Sequence, residues 1–183
     1  MRRVGKLGIL LATASLLTTA AIAQVRQEQP RSALGGHNIN APVDVTSERI
    51  EVQDRADRAV FSGNVHVTQA DMTLDTDRLT VAYAGGQGSS GLQINRLDAA
   101  GGVVVHSASE TAKGDFGVYD LNRKLITLIG NVQLVRDTNV VRGARLMIDL
   151  NSGRAVVDGG PPGVNASGGR VTGHFTVPQK QQQ

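Results

Sequence analysis

The side chains best suited to metal or acid–base chemistry are four histidines, which are spread widely along the chain. They are His37, His66, His106 and His174. No two of them have the spacing of a metal-ligand pair such as His-x-x-x-His. His66 and His106 fall within alternating apolar stretches, so we interpret them as solvent-facing strand residues.

Three carboxylates form the densest acidic cluster, at Asp71, Asp75 and Asp77. A calcium loop needs alternating oxygen ligands around a glycine and a terminal glutamate, and both of these are missing here. There is also no Gly-x-Ser-x-Gly elbow to hold a nucleophilic serine. The sequence therefore predicts no enzyme activity, no metal site and no cofactor.

The glycine-rich stretch at 84–91 could suggest a phosphate-binding loop. Such a loop requires a lysine after its last glycine and a helix that follows it. This stretch has neither feature, so it predicts a flexible connection between two strands.

The first 23 residues predict a secretory signal peptide, cleaved after Ala23. Three basic residues precede an apolar run of about a dozen residues, and a small-x-small site ends it. The whole chain has 19 basic and 16 acidic residues. Cleavage of the signal peptide removes its three basic residues. The mature chain is then formally neutral, which argues against nucleic-acid binding. The signal peptide itself predicts an exported, periplasmic protein. The mature chain has no cysteine, so its stability comes without disulfides.

A short phrase around a glycine occurs four times and organises the rest of the chain. It occurs at 61–67, 99–105, 128–134 and, shortened, at 157–160, so that the phrase recurs every 29 to 38 residues. Apolar and polar residues alternate between these phrases, which predicts an all-β fold built from stacked repeats. We expect a leader at 24–38, one domain at 39–178 and a polar tail at 179–183.

The alternation places apolar residues on one face of the predicted sheet and polar residues such as Thr80 and Asp149 on the other. An apolar face of this kind is typical of a closed core, and alternation alone favours that interpretation. A closed structural or carbohydrate-binding β-solenoid is therefore one alternative. An enzyme built on a β-helix is a second, although it would need carboxylates clustered on one outer face.

Five segments, in their order and spacing, resemble the OstA-like family of lipopolysaccharide-transport proteins. These are 42–52, 61–69, 74–81, the second Gly-Asn-Val at 130–132, and 170–178. The resemblance implies a half-open, antiparallel β-jelly roll of about 16 short strands with an apolar interior. It also implies a carrier of lipopolysaccharide or a similar glycolipid, joined head to tail into a bridge. That bridge would run from an inner-membrane ABC-transporter complex with its periplasmic anchor to an outer-membrane receiver.

The resemblance also implies which residues line the lipid-binding groove. They are Val43, Val45, Ile50, Val65, Val67, Leu74, Leu79, Val81, Val103, Val105, Leu134, Leu146 and Ile148. The basic residues that an enteric relative carries near 84–90 are absent from this chain, so the nearest candidates for a polar rim are Arg78, Arg96 and Arg145. We expect the first strand at 43–46 and the last at 171–177 to be open edges that pair with neighbouring molecules.

Overall fold

The computed structural model describes residues 37–38, 40–84, 93–160 and 169–177. The predicted signal peptide, most of the leader, residues 85–91 of the glycine-rich stretch and the tail lie outside the described residues. Within these ranges the chain forms ten β-strands and a single 3₁₀ turn, Asp54–Ala56, between the second and third strands. The strands are β1 (Asp44–Thr46), β2 (Arg49–Gln53), β3 (Arg58–Gln69), β4 (Met72–Ala84), β5 (Gln93–His106), β6 (Thr111–Asp120), β7 (Leu125–Arg136), β8 (Asn139–Asp149), β9 (Arg154–Asp158) and β10 (Thr172–His174).

The ten strands form one antiparallel sheet in which each long strand pairs with the next in sequence. The order is β1-β3-β4-β5-β6-β7-β8-β10, while β2 pairs with the first part of β3 and β9 with the last part of β8. Among the described residues no pairing joins the two ends of this order. The all-β, antiparallel and unclosed character of the prediction is confirmed.

Each of the six long strands, β3 to β8, is interrupted by a shift of register near its middle. The shifts divide the sheet into two layers of eight segments. The prediction of about 16 short strands is therefore corrected to ten strands, six of which bend into two segments each. Layer A comprises 49–53, 58–62, 78–84, 93–100, 116–120, 125–129, 145–149 and 154–158, and layer B comprises 44–46, 65–69, 72–76, 103–106, 111–114, 132–136, 139–143 and 172–174.

The repeated glycine phrase lies at these bends. Gly63 and Gly130 each have φ of +80°, and the asparagine that follows each of them also has a positive φ. A carboxylate on a neighbouring segment stands beside each bend, and Asn131 Nδ2 donates to Asp115 Oδ2 at 2.8 Å. A bulge with a left-handed glycine adds a residue to one strand and bends it sharply. The glycines of the repeated phrase therefore bend the long strands, and these bends fold the sheet into two layers.

The core lies between the two layers, and its side chains come from both. Leu79, Leu128 and Leu146 occupy one continuous row of paired positions in layer A, and each is fully buried. Val65, Val103 and others from layer B belong to the same cluster. The Tyr119 hydroxyl of layer A donates to Gln69 Oε1 of layer B at 3.2 Å, so the layers face each other directly.

Candidate functional site

The predicted lining residues lie on the inner face of the folded sheet, with different degrees of burial. Eight are buried: Val65, Val67, Leu79, Val81, Val103, Val105, Leu146 and Ile148. Four more are partly buried and pack against them: Val43, Val45, Leu74 and Leu134. Ile50 lies in the same paired row as Leu79 but is 55% exposed, because β2 is the edge of layer A.

One row of paired residues illustrates how the apolar face continues across layer B. Directly paired residues of neighbouring strands have their side chains on the same face. The row runs Val45, Val67, Leu74, Val105, Ala112, Leu134 and Val141. The inner face is thus apolar from the edge strand β1 to β8.

The interior is closely packed at its centre and more open towards its ends. Cavities of only about 20 and 10 Å³ lie in the middle, beside Leu97 and Tyr119. At the β1–β2 end Ile50 and Val52 are 55% and 58% exposed. At the β9–β10 end a cavity of about 360 Å³ lies between the layers, with Phe175 at its border.

A polar network at one rim of the interior was not foreseen from the sequence. Gln69 is buried, accepts the hydrogen bond from Tyr119 and donates to the carbonyl of Ala41 at 3.0 Å. The ring nitrogens of His37 lie 2.8 Å from Asp71 Oδ1 and 3.1 Å from Gln69 Oε1. The hydrogen bond with His37 lowers the pKa of Asp71, and burial raises the pKa of Tyr119. The only sequence signal was a glutamine at an inward-facing strand position.

The three arginines of the predicted polar rim lie on the outer face. Arg96 Nη2 is 2.6 Å from an oxygen of Asp98, and Arg145 Nη2 is 2.7 Å from Asp158. Arg78 is exposed in the same paired row as Arg145. The outer face therefore carries charge, although two of these guanidinium groups already have carboxylate partners.

The histidines and carboxylates of the described segments form pairs and no metal-binding cluster. His66 Nδ1 is 2.6 Å from Asp75 Oδ1 on the outer face, and His106 Nδ1 is 3.0 Å from the hydroxyl of Thr111. In residues 37–38, 40–84, 93–160 and 169–177 there is no group of three or more histidine, cysteine or acidic residues placed to hold a metal ion. Across those same ranges, no helix has the length and apolar character that a membrane span requires.

An unclosed antiparallel sheet folded into two layers over a continuous apolar interior defines the class of β-protein to which this chain belongs. The chain belongs to the family described as LptA/(LptD N-terminal domain) LPS transport protein, which matches residues 44–154. This finding confirms the resemblance to the OstA-like family, and the description of the family includes LptA.

Two further comparisons agree with the family. The chain is 32% identical over 162 residues to an uncharacterized protein of Rhizobium meliloti (strain 1021). The aligned region covers 86% of this chain and 82% of that protein. The structure resembles that of LptH from Pseudomonas aeruginosa, described as the LptA homologous periplasmic component of the lipopolysaccharide transport device. The TM-score is 0.63 at 18% identity, over 75% of this chain and 96% of LptH. The two proteins thus share their fold.

Proposed function

We propose that this protein binds lipopolysaccharide, or a similar amphipathic glycolipid, in its apolar interior and carries it from the inner to the outer membrane. The observation that supports this best is the inner face itself, which is apolar from β1 to β8 and reaches solvent at both ends. Each CH₂ group removed from water contributes about 0.8 kcal/mol. Several acyl chains would therefore be held strongly without any catalytic group.

The two faces of the sheet match the two parts of such a lipid. Acyl chains would lie between the layers, while sugars and phosphates would stay outside, near arginines of the outer face such as Arg78 and Arg145. Because the centre is packed with side chains, the layers must part when a chain enters. The bends at Gly63, Gly101 and Gly130 join the layers along one side, so we expect the opposite rims to separate.

The packed centre also favours one alternative, a closed structural or carbohydrate-binding β-solenoid. In that case the buried leucines would form only a core, and any ligand would bind outside. The alternative predicts that sugars without acyl chains bind as well as the complete lipid does.

The remaining parts of the proposal follow the family. The signal peptide at 1–23 would direct the chain to the periplasm. There it would receive lipid from an inner-membrane ABC-transporter complex through its periplasmic anchor, and pass the lipid to an outer-membrane receiver. The partner ATPase would supply the energy for transport.

Lipid binding by the purified mature protein tests the proposal against the solenoid. We expect intact lipopolysaccharide to displace an apolar fluorescent dye, N-phenyl-1-naphthylamine, saturably from the protein. Delipidated polysaccharide from the same preparation should displace no dye, because the apolar interior has few groups that could bind sugars. Equal binding of both ligands in a direct assay would instead support the carbohydrate-binding solenoid.

Head-to-tail association should depend on the exposed apolar edge at the β1–β2 end. An edge strand is a template for adding a strand from another molecule. Ile50→Lys combined with Val52→Lys should weaken self-association by about tenfold or more, because each lost apolar contact contributes on the order of 1 kcal/mol. Sedimentation over a range of concentrations measures this. Glu51→Lys, on the other face of β2, is the matched control, and equal association of all three proteins would refute the assignment of this edge.

A further inference from the structure

One of the residues that line the cavity at the β9–β10 end is a buried glutamate, and one of its two carboxylate oxygens has no hydrogen-bond partner among the described residues. The side chain of Glu110 is 4% exposed and forms an ion pair through Oε1 with Arg136. Its other oxygen, Oε2, is buried without a hydrogen-bond partner among the residues that the structure describes. A buried acceptor without a donor is costly, so such an oxygen indicates a place for a ligand group.

The rest of this cavity is mostly apolar. Leu134 and Val141 of layer B face Ala155 of layer A, Phe175 lies at the border, and Asn139 is a further polar residue of the lining. The volume of about 360 Å³ lies within the range of small-molecule sites, which combine apolar walls with a few placed polar groups. A ligand that fits must be apolar over most of its length and must carry one hydrogen-bond donor.

The charge balance decides the nature of that donor. Arg136 already neutralises Glu110, so an ammonium group would place a second cation beside the guanidinium. A hydroxyl group donates to the carboxylate without adding charge. We propose that this cavity binds a hydroxyl-bearing acyl chain, whose hydroxyl donates to Oε2 of Glu110. The inference rests on the proposed function, to which it adds selection of the cargo by a group on its chain.

Two probes of the same formula test the preference. 1-Octanol has a hydroxyl donor, whereas heptyl methyl ether has an acceptor oxygen only. Each is titrated into the mature protein, and binding is read from the methyl NMR signals of Leu134 and Val141. We expect 1-octanol to bind about tenfold more tightly, as is typical of a hydrogen bond to a charged group. Equal affinities, tighter binding of the ether, or no saturable shift with either probe would overturn the inference.

Two variants tie the preference to these residues. Glu110→Met combined with Arg136→Met removes both charges together, because removing one would leave the other buried and unpaired. The ratio of the two affinities should then fall to about one. Ala155→Leu fills the cavity and should weaken the binding of both probes. This variant tests the site even if the double variant fails to fold. An unchanged ratio in the double variant, or unchanged affinities in Ala155→Leu, would contradict the site.

Lipopolysaccharide binding, measured on the same samples, separates the inference from the function on which it rests. Equal probe affinities in a protein that binds lipopolysaccharide saturably would overturn only the role of Glu110. A protein that binds no lipopolysaccharide would overturn the proposed function, whatever the ratio of the probes.

Discussion

Val45→Asp should weaken lipopolysaccharide binding roughly 100-fold. Val45 is paired with Val67, so its side chain points into the interior at the edge strand β1, where it is only partly buried. The fold should tolerate a carboxylate there, since the side chain can reach solvent when no lipid is bound. With acyl chains in place the charge would lie in hydrocarbon, at a cost of about 3 kcal/mol.

Thr46→Asp provides the matched control for this experiment. Thr46 is the next residue of β1, is exposed and pairs with His66 on the outer face. It should change the affinity less than about threefold, as expected for a surface charge. Dye displacement by lipopolysaccharide measures both variants, and thermal unfolding checks that both are folded. Equal losses of affinity would mean that the inner face of β1 does not meet the lipid.

Gly130→Ala should lower the free energy of unfolding by about 3 kcal/mol, because a side chain at this bend between the layers would strain the backbone. Two causes combine at this residue. Its φ of +80° disfavours any side chain, and an added Cβ would clash with a carboxylate oxygen of Asp115. Urea unfolding followed by circular dichroism measures the change.

Two further proteins separate these causes. Gly102→Ala has the positive φ, at +64°, but open space around the added Cβ, so it should lose only about 1 to 2 kcal/mol. Asp115→Ala combined with Gly130→Ala should recover the loss that arises from the clash. If Gly102→Ala and Gly130→Ala were equally destabilised, the carboxylate beside the bend would have no steric role.

Much of the fold could be predicted because the alternation of residues determines which side chains share a face. Leu79 and Leu146, which the resemblance placed in the lining, are buried in one row of paired positions. Leu128 lies between them in that row and was not predicted. The repeated glycines predicted a repeated unit, and the structure adds that they lie at bends. Alternation could not supply that detail, since the same residues also suit turns between short strands.

The polar groups of the interior were harder to predict. Gln69 and Tyr119 are 50 residues apart, and they meet because the two layers fold face to face. Glu110 precedes β6 in a stretch of small and polar residues, where nothing in the sequence indicates burial. His37 was assigned to the leader, yet its side chain is 2% exposed against the rim. Local patterns specify the direction of a side chain, but contacts between distant segments depend on the tertiary fold.

Photo-crosslinking in cells of the source organism tests the central claim most directly. A photo-reactive residue replaces Val67 on the inner face or, as the control, its neighbour His66 on the outer face. We expect a lipid adduct, detected by mass, at Val67 and at a second inner position, Leu146, but not at His66. If the exported and folded protein captured no lipid at either inner position, the groove would not be a lipid path, and the closed structural stack would be the better account.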